Sequence, residues 1–160
     1  MGPAGARAIA FAEFHRLPGD TPQQDTNLRR DEIVTAIELP ANGFAANYTY
    51  LKIRDRLSYA FALVSIAAAL DLDGDRIKEA RVALGGVAHK PWRSVEAEAA
   101  LQGQPAAAAS FAKAADLLLH DARGYGHNNF KIELARRGIV RALTQAARGT
   151  PQSQSVKKVR

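Results

Sequence analysis

The sequence predicts an α+β domain in which an antiparallel sheet of three to four strands is covered on one face by three C-terminal helices. Three observations predict it. Segments with strand periodicity fall between residues 33 and 85, and segments with helical periodicity between 94 and 149, so the two kinds of element are segregated along the chain. Asp73-Gly74, set between two apolar runs, is a tight-turn signal that makes those runs the arms of a hairpin. The 160 residues suffice for one hydrophobic core, and their alanine-rich, aromatic-poor composition predicts a thin, closely packed one.

Residues 1–27 are rich in Gly, Pro and polar side chains, and Leu17-Pro18-Gly19-Asp20-Thr21-Pro22 reads as consecutive turns. Such a segment is expected to be an arm that docks elsewhere, or part of a linker. Residues 33–39 alternate Ile33, Thr35, Ile37 and Leu39 against Val34, Ala36 and Glu38, with Pro40 as terminator, and predict a strand. After a loop at Asn42-Gly43-Phe44, residues 48–53 predict a second strand. The apolar run at 60–72 fits strand or helix equally on periodicity. The turn at Asp73-Gly74 decides for a hairpin with arms at about 60–72 and 76–85, which Gly85-Gly86 ends.

Ser94, followed by Val95-Glu96-Ala97, predicts a helix N-terminus running to Leu101 and stopped at Gly103. Pro105 suits the first turn of a second helix, with Phe111, Ala115, Leu118 and Leu119 on one face. Arg123-Gly124-Tyr125-Gly126 breaks it. Asn128 or Asn129 is expected to cap a third helix, whose Ile132, Ala135, Ile139, Leu143 and Ala146 recur at helical spacing. Gly149-Thr150-Pro151 ends it, and 150–160 is expected to be a disordered basic tail.

Several classes of chemistry drop out. With no cysteine the chain forms no disulfide and supplies neither a thiolate cluster ligand nor a cysteine nucleophile. His15, His89, His120 and His127 lack metal-ligand spacing, so no metal site is expected. The charge of +6 comes largely from Arg136-Arg137, Arg141, Arg148 and Lys157-Lys158-Val159-Arg160. These read as a solvated helix face and a terminus, and nucleic acid is not an expected partner. No apolar run is long enough to span a bilayer, and the N-terminus has neither a signal-peptide layout nor a myristoylation pattern.

Asp71-Leu72-Asp73-Gly74-Asp75 has the spacing of a calcium-loop start, but Arg76 stands where a glycine is required, so the hairpin turn is preferred. Gly85-Gly86 reads as a strand exit more readily than as a phosphate cradle, since no Gly-x-Gly-x-x-Gly or Walker-type lysine accompanies it. Trp92 is expected to plug the junction of sheet and helices. The serines lack a nucleophile-elbow context, and no catalytic residue is assigned. Lys52, Arg56, Ser58 and Tyr59 differ from these. They gather two cations, a hydroxyl and an aromatic ring between two β-segments, a combination suited to a planar anionic or redox ring. A salt-bridged connecting loop fits the same residues equally well.

Several stretches carry a family resemblance: Phe14-His15-Arg16-Leu17-Pro18-Gly19-Asp20-Thr21-Pro22, the run from Leu28 to Pro40 with Glu32-Ile33-Val34 and Ile37-Glu38-Leu39-Pro40, Tyr50, Lys52, Arg54-Asp55-Arg56 and Ser58-Tyr59-Ala60-Phe61-Ala62. Gly85-Gly86-Val87-Ala88, Lys90-Pro91-Trp92-Arg93 and the run from Phe130 to Arg137 add to it. Together they resemble the flavoprotein subunit of molybdenum hydroxylases, the family of xanthine dehydrogenase, carbon monoxide dehydrogenase and aldehyde oxidoreductases. The resemblance covers nearly the whole chain and corresponds to the C-terminal half of that subunit. It implies that residues 1–27 are a remnant of the linker from a flavin-binding domain and 28–149 the flavoprotein C-terminal domain. It also implies that Lys52, Arg56, Ser58 and Tyr59 line the flavin.

FAD in the family is held mainly by glycine-rich pyrophosphate loops of an N-terminal domain. No such loops occur here, so FAD is expected only together with that domain. The implied partners are a molybdopterin-binding large subunit and an iron–sulfur small subunit with [2Fe-2S] clusters. This domain would form one wall of the flavin site on the electron path to FAD and make no bonds itself. Many relatives carry an acid where Tyr59 stands, and Ser58-Tyr59-Ala60-Phe61 resembles the aldehyde-oxidising branch. The implied location is cytoplasmic, with co-export to the periplasm alongside a partner as the alternative. The competing reading is a stand-alone, non-catalytic binding or scaffold domain without a flavin-binding half.

Overall fold

The computed structural model describes residues 1–41 and 43–149; the expected disordered tail, 150–160, lies outside them. In chain order the elements are α1 (Phe11–Phe14), β1 (Tyr48–Ile53), β2 (Val64–Asp73), β3 (Arg76–Gly85), α2 (Val95–Ala99), α3 (Ala108–Leu118) and α4 (Phe130–Ala147). They fall into two compact units. The smaller comprises Met1–Gly43 with Ala88–Pro91, and the larger Phe44–Val87 with the chain from Trp92 onward.

The larger unit is an α+β domain built on a three-stranded antiparallel sheet of order β1-β2-β3. Side chains alternate across a sheet, and the register sets the faces. Thr49, Leu51 and Ile53 of β1 lie beside Ala68, Ile66 and Val64 of β2, and Ala68 and Ile66 in turn oppose Val82 and Leu84 of β3. This face carries the core, closed by Phe111, Ala115 and Leu118 of α3 and by Ala135, Ile139, Ala142, Leu143 and Ala146 of α4. Gly138 lets α4 approach closely: a Cβ there would lie 2.7 Å from Cδ1 of Ile66. The opposite face has small residues at its centre, with Tyr48–Ala69–Arg81, Tyr50–Ala67–Ala83 and Lys52–Ser65–Gly85 as successive cross-strand rows.

β3 is an edge strand, and unpaired edges invite association. Here several groups cover it. Ile77 exchanges hydrogen bonds with Gln104 and Gly103, and Leu84 pairs with Trp92 in both directions. Between them the Glu98 carboxylate accepts from the Val82 N–H at 2.9 Å. Trp92 also donates its indole N–H to the Leu118 carbonyl at 2.8 Å, locking the sheet–helix junction as expected.

The strand at Tyr48–Ile53, the hairpin turn and the Ser94 cap match expectation, with Ser94 Oγ accepting from the Ala97 N–H. Four expectations are corrected. Residues 33–39 form no strand, because no neighbouring strand pairs with them in the smaller unit. The first hairpin arm starts at Val64 and not at 60: the Leu63 N–H bonds the Ile53 carbonyl, which closes residues 54–62 into a loop. Pro105 does not open α3; it bridges Arg76, and Ala106 N–H bonds Asp75, so the helix begins at Ala108. Asn129 stands at the N-cap of α4 without capping it, its side chain accepting instead from the Gly126 N–H.

The smaller unit is held largely by polar contacts. Arg7 donates two hydrogen bonds to Glu32, at 2.6 and 2.7 Å, and the Arg29 N–H adds a third. These bonds, Arg7 foremost, hold the Glu32 carboxyl down to about 2. Lys90 donates to the Ala12 carbonyl at 3.1 Å.

Candidate functional site

Lys52 stands at the end of β1, and the chain then turns away from the sheet into the loop carrying Arg56, Ser58 and Tyr59. All four predicted residues therefore belong to one strand end and its loop. The Arg56 guanidinium donates to the Tyr59 carbonyl, and Tyr59 adopts φ 50°, a left-handed conformation that costs energy for a side chain of this size. Arg56 thereby braces a strained turn. Among the described residues, no ion pair involves Lys52, Arg54, Asp55 or Arg56. Among the described residues, then, ion pairs do not close this loop.

The loop presents apolar side chains, of which sequence reasoning assigned only Tyr59 to the site and left out Leu57 and Phe61. Leu57, Tyr59 and Phe61 are 91%, 95% and 97% exposed, three large apolar groups at alternate positions on one loop. From sequence an apolar residue reads as buried, and nothing in the composition marks these as the exception.

The loop's far end is fixed by Gly86. It takes φ +76°, and a Cβ there would lie 2.9 Å from the Ala62 carbonyl oxygen and 3.3 Å from that of Leu63. Lys131 of α4 donates to the Gly86 carbonyl at 2.8 Å. Gly86 and Lys131 are thus positioning residues for the loop. The Gly85-Gly86 pair was the available signal, readable as close backbone approach as well as strand exit.

The row Lys52–Ser65–Gly85 continues the site onto the open sheet face, where small side chains leave a flat platform. An ammonium group with no ion-pair partner among the described residues, beside such a platform, suits the polar edge of a planar ring such as a flavin. Within the larger unit, the crevice lined by Val87, Trp92, Leu119, Arg123, Lys131 and Ile132 is small, about 70 Å³. Among the described residues no group of three or more His, Asp or Glu could hold a metal ion.

This three-stranded α+β domain, with its braced loop at one strand end, has the architecture of a known flavoprotein domain. Residues 48–146 match the family described as CO dehydrogenase flavoprotein C-terminal domain, and the chain belongs to that family. It is 44% identical over 141 residues to the aldehyde oxidoreductase FAD-binding subunit PaoB of Escherichia coli K12, covering 88% of this chain and 41% of that protein. It is 36% identical over 96 residues to the glyceraldehyde dehydrogenase medium chain of Sulfolobus acidocaldarius, covering 59% of this chain and 31% of the relative. The fold superposes on quinoline 2-oxidoreductase from Pseudomonas putida 86 with TM-score 0.76 at 26% identity, covering 91% of this chain and 50% of the other. Reconstituted CO dehydrogenase from Oligotropha carboxidovorans gives TM-score 0.78 at 24% identity, over 92% and 51%. The chain thus spans half or less of the curated relatives' own length. It is a domain of the FAD-binding subunit of the molybdenum hydroxylase family.

Proposed function

We propose that this chain forms one wall of the flavin site of a molybdenum-dependent hydroxylase and docks the subunits that deliver electrons to it. The observation that carries the reading is the cation pair Lys52 and Arg56, which no carboxylate neutralises among the described residues. Uncompensated positive charge at the rim of an open platform favours a ligand that gains negative charge. FAD, when bound, accepts electrons and does so. On this reading Lys52 stabilises the reduced ring and Arg56 adds charge while holding Tyr59 in its turn. Tyr59 covers a ring face, and Ser58 offers a hydroxyl to the ring's polar edge.

The partners are a molybdopterin-binding large subunit and an iron–sulfur small subunit, with an aldehyde as the substrate class. PaoB's name and the 44% identity support that class. FAD itself is retained only with a flavin-binding domain, since the sequence holds no glycine-rich pyrophosphate loop. The test is rapid-mixing kinetics in the assembled complex. Lys52→Met and Arg56→Met should slow reduction of the flavin by the centres that feed it while substrate oxidation at molybdenum continues. Unchanged kinetics in both would favour a scaffold domain with no part in electron transfer.

A further inference from the structure

The smaller unit holds an open crevice of about 450 Å³, lined by Glu13, His15, Arg16, Leu17, Asn27 and Lys90 among others. None of these residues enters the flavin reading, whose side chains all lie in the larger unit.

The local chain is arranged to hold Arg16 in place. The Arg16 N–H bonds the Asp25 carbonyl, the Asn27 N–H bonds the Phe14 carbonyl, and His15 bridges Thr26. Residues 14–16 and 25–27 therefore lie side by side. The Arg16 guanidinium then donates to Asn27 Oδ1 and to Thr21 Oγ1, each at 3.1 Å. Thr21 belongs to the run of turns, where its N–H bonds the Pro18 carbonyl. Both acceptors are neutral, so Arg16 is oriented while its charge stays available. Its other guanidinium N–H groups have no partner among the described residues.

Lys90 reaches the same crevice from another stretch of chain, and its ammonium donates once, to the neutral Ala12 carbonyl. The His15 ring adds an N–H, with its plane fixed edge-on by Phe11 and Phe14 at 5.7 and 5.1 Å. Among the described residues no ion pair involves Arg16, Lys90 or His15. Arg7 of the same unit shows the contrast, because Glu32 accepts from it twice.

Two cations held by neutral groups suit a single group bearing two negative charges. A planar arginine fork and a lysine point charge together match a phosphate monoester. Glu13 narrows the class further. A carboxylate in the lining repels a bare anion and accepts from hydroxyls, which favours a ligand with hydroxyl groups near its phosphate. The volume, about 450 Å³, exceeds what one phosphate fills and falls in the roughly 300–1,000 Å³ range of small-molecule sites.

We propose that this crevice binds a hydroxylated phosphate monoester, with Arg16 and Lys90 on the phosphate and Glu13 on a hydroxyl. Sugar phosphates and nucleoside monophosphates share that chemistry. The inference goes beyond the flavin reading and does not rest on it: FAD carries its phosphates as singly charged diesters, which two cations and a carboxylate suit less well.

The test titrates the 160-residue chain with ribose 5-phosphate, AMP, ribose, inorganic phosphate and FAD. NMR of the Arg16 Nε–H and the Asn27 side-chain amide locates binding, and calorimetry gives affinity. Ribose 5-phosphate, AMP or both should shift these resonances to saturation, with the other three probes at least about tenfold weaker. A sugar phosphate is identified if ribose 5-phosphate binds as well as AMP or alone, and a nucleotide if AMP binds more tightly. Lys90→Met and Arg16→Lys should each weaken binding about tenfold or more. Glu13→Gln should narrow the gap between ribose 5-phosphate and inorganic phosphate. Should Arg16→Lys disturb the fold around Thr21 and Asn27, Lys90→Met carries the test, since its head group makes a single bond. The proposal is overturned if neither ester saturates these resonances, or if binding survives Lys90→Met unchanged. Inorganic phosphate binding as tightly as the esters also overturns it, because the site is then a bare anion site. So does FAD matching AMP, because a monoester is then not what the crevice reads.

Discussion

The Lys131 ammonium donates a 2.8 Å hydrogen bond to the Gly86 carbonyl, joining α4 to the turn that leaves β3. On its other side a Cβ at Gly86 would meet the carbonyl oxygens of Ala62 and Leu63, at the end of the loop that carries Arg56, Ser58 and Tyr59. The loop's shape is therefore set by contacts outside it.

Gly86→Ala should disturb this arrangement. A methyl group at φ +76°, 2.9 Å from a carbonyl oxygen, combines left-handed strain with a backbone clash. The cost is about 1–3 kcal/mol. Thermal unfolding should show a lowered Tm, and the amide resonances of Ala62 and Leu63 should shift. An unchanged Tm would mean the loop does not depend on this contact.

Glu98 is 6% exposed and accepts from Val82 N–H and, in two bonds, from Arg93. Glu98→Ala strips the edge of β3 of its cover and leaves Arg93 without its carboxylate. Because Arg93 is itself half-exposed, part of its charge is rehydrated. The expected loss is about 2–4 kcal/mol, less than for a fully buried pair. Chemical denaturation of wild type and variant measures it, and the exposed edge should also raise the tendency to aggregate.

The smaller unit should loosen in acid. Its Glu32 carboxyl is held at about 2, below the ordinary 4.5, chiefly by Arg7 and then by the Arg29 N–H. A lowered folded-state pKa contributes stability that is complete above 4.5 and is lost as pH falls from there toward 2. Amide exchange around Asn27 and Arg29 should accelerate over that window, and Glu32→Gln should remove the pH dependence. Exchange that stays flat across the window would show that the Arg7–Glu32 contact does not hold the unit together.

Much of the larger unit was legible in the sequence because local and tertiary signals agree there. The alternation of Tyr48–Ile53, the Asp73-Gly74 turn and the Ser94 cap need no distant partner to be interpretable. Ala60 to Leu63 misled because apolar residues fit a strand and an apolar loop base alike; the bond from Leu63 to Ile53 separates the two. Residues 33–39 failed for the opposite reason, their pattern being complete and their pairing absent. In the site, charge density marked Lys52 and Arg56. The exposure of Leu57 and Phe61, and the support from Lys131, depend on three-dimensional packing that no local pattern encodes.

The central claim is that Lys52 and Arg56 place positive charge beside the flavin ring, and its most direct test is a potentiometric titration of FAD in the assembled complex. Lys52→Met should lower the flavin reduction potential. Losing about 1 kcal/mol of charge stabilisation corresponds to about 20 mV for a two-electron couple. Arg56→Met should act in the same direction, while Tyr59→Ala should weaken flavin retention more than it moves the potential. If Lys52→Met, Arg56→Met, Ser58→Ala and Tyr59→Ala all leave both potential and retention unchanged, the flavin-wall account is contradicted.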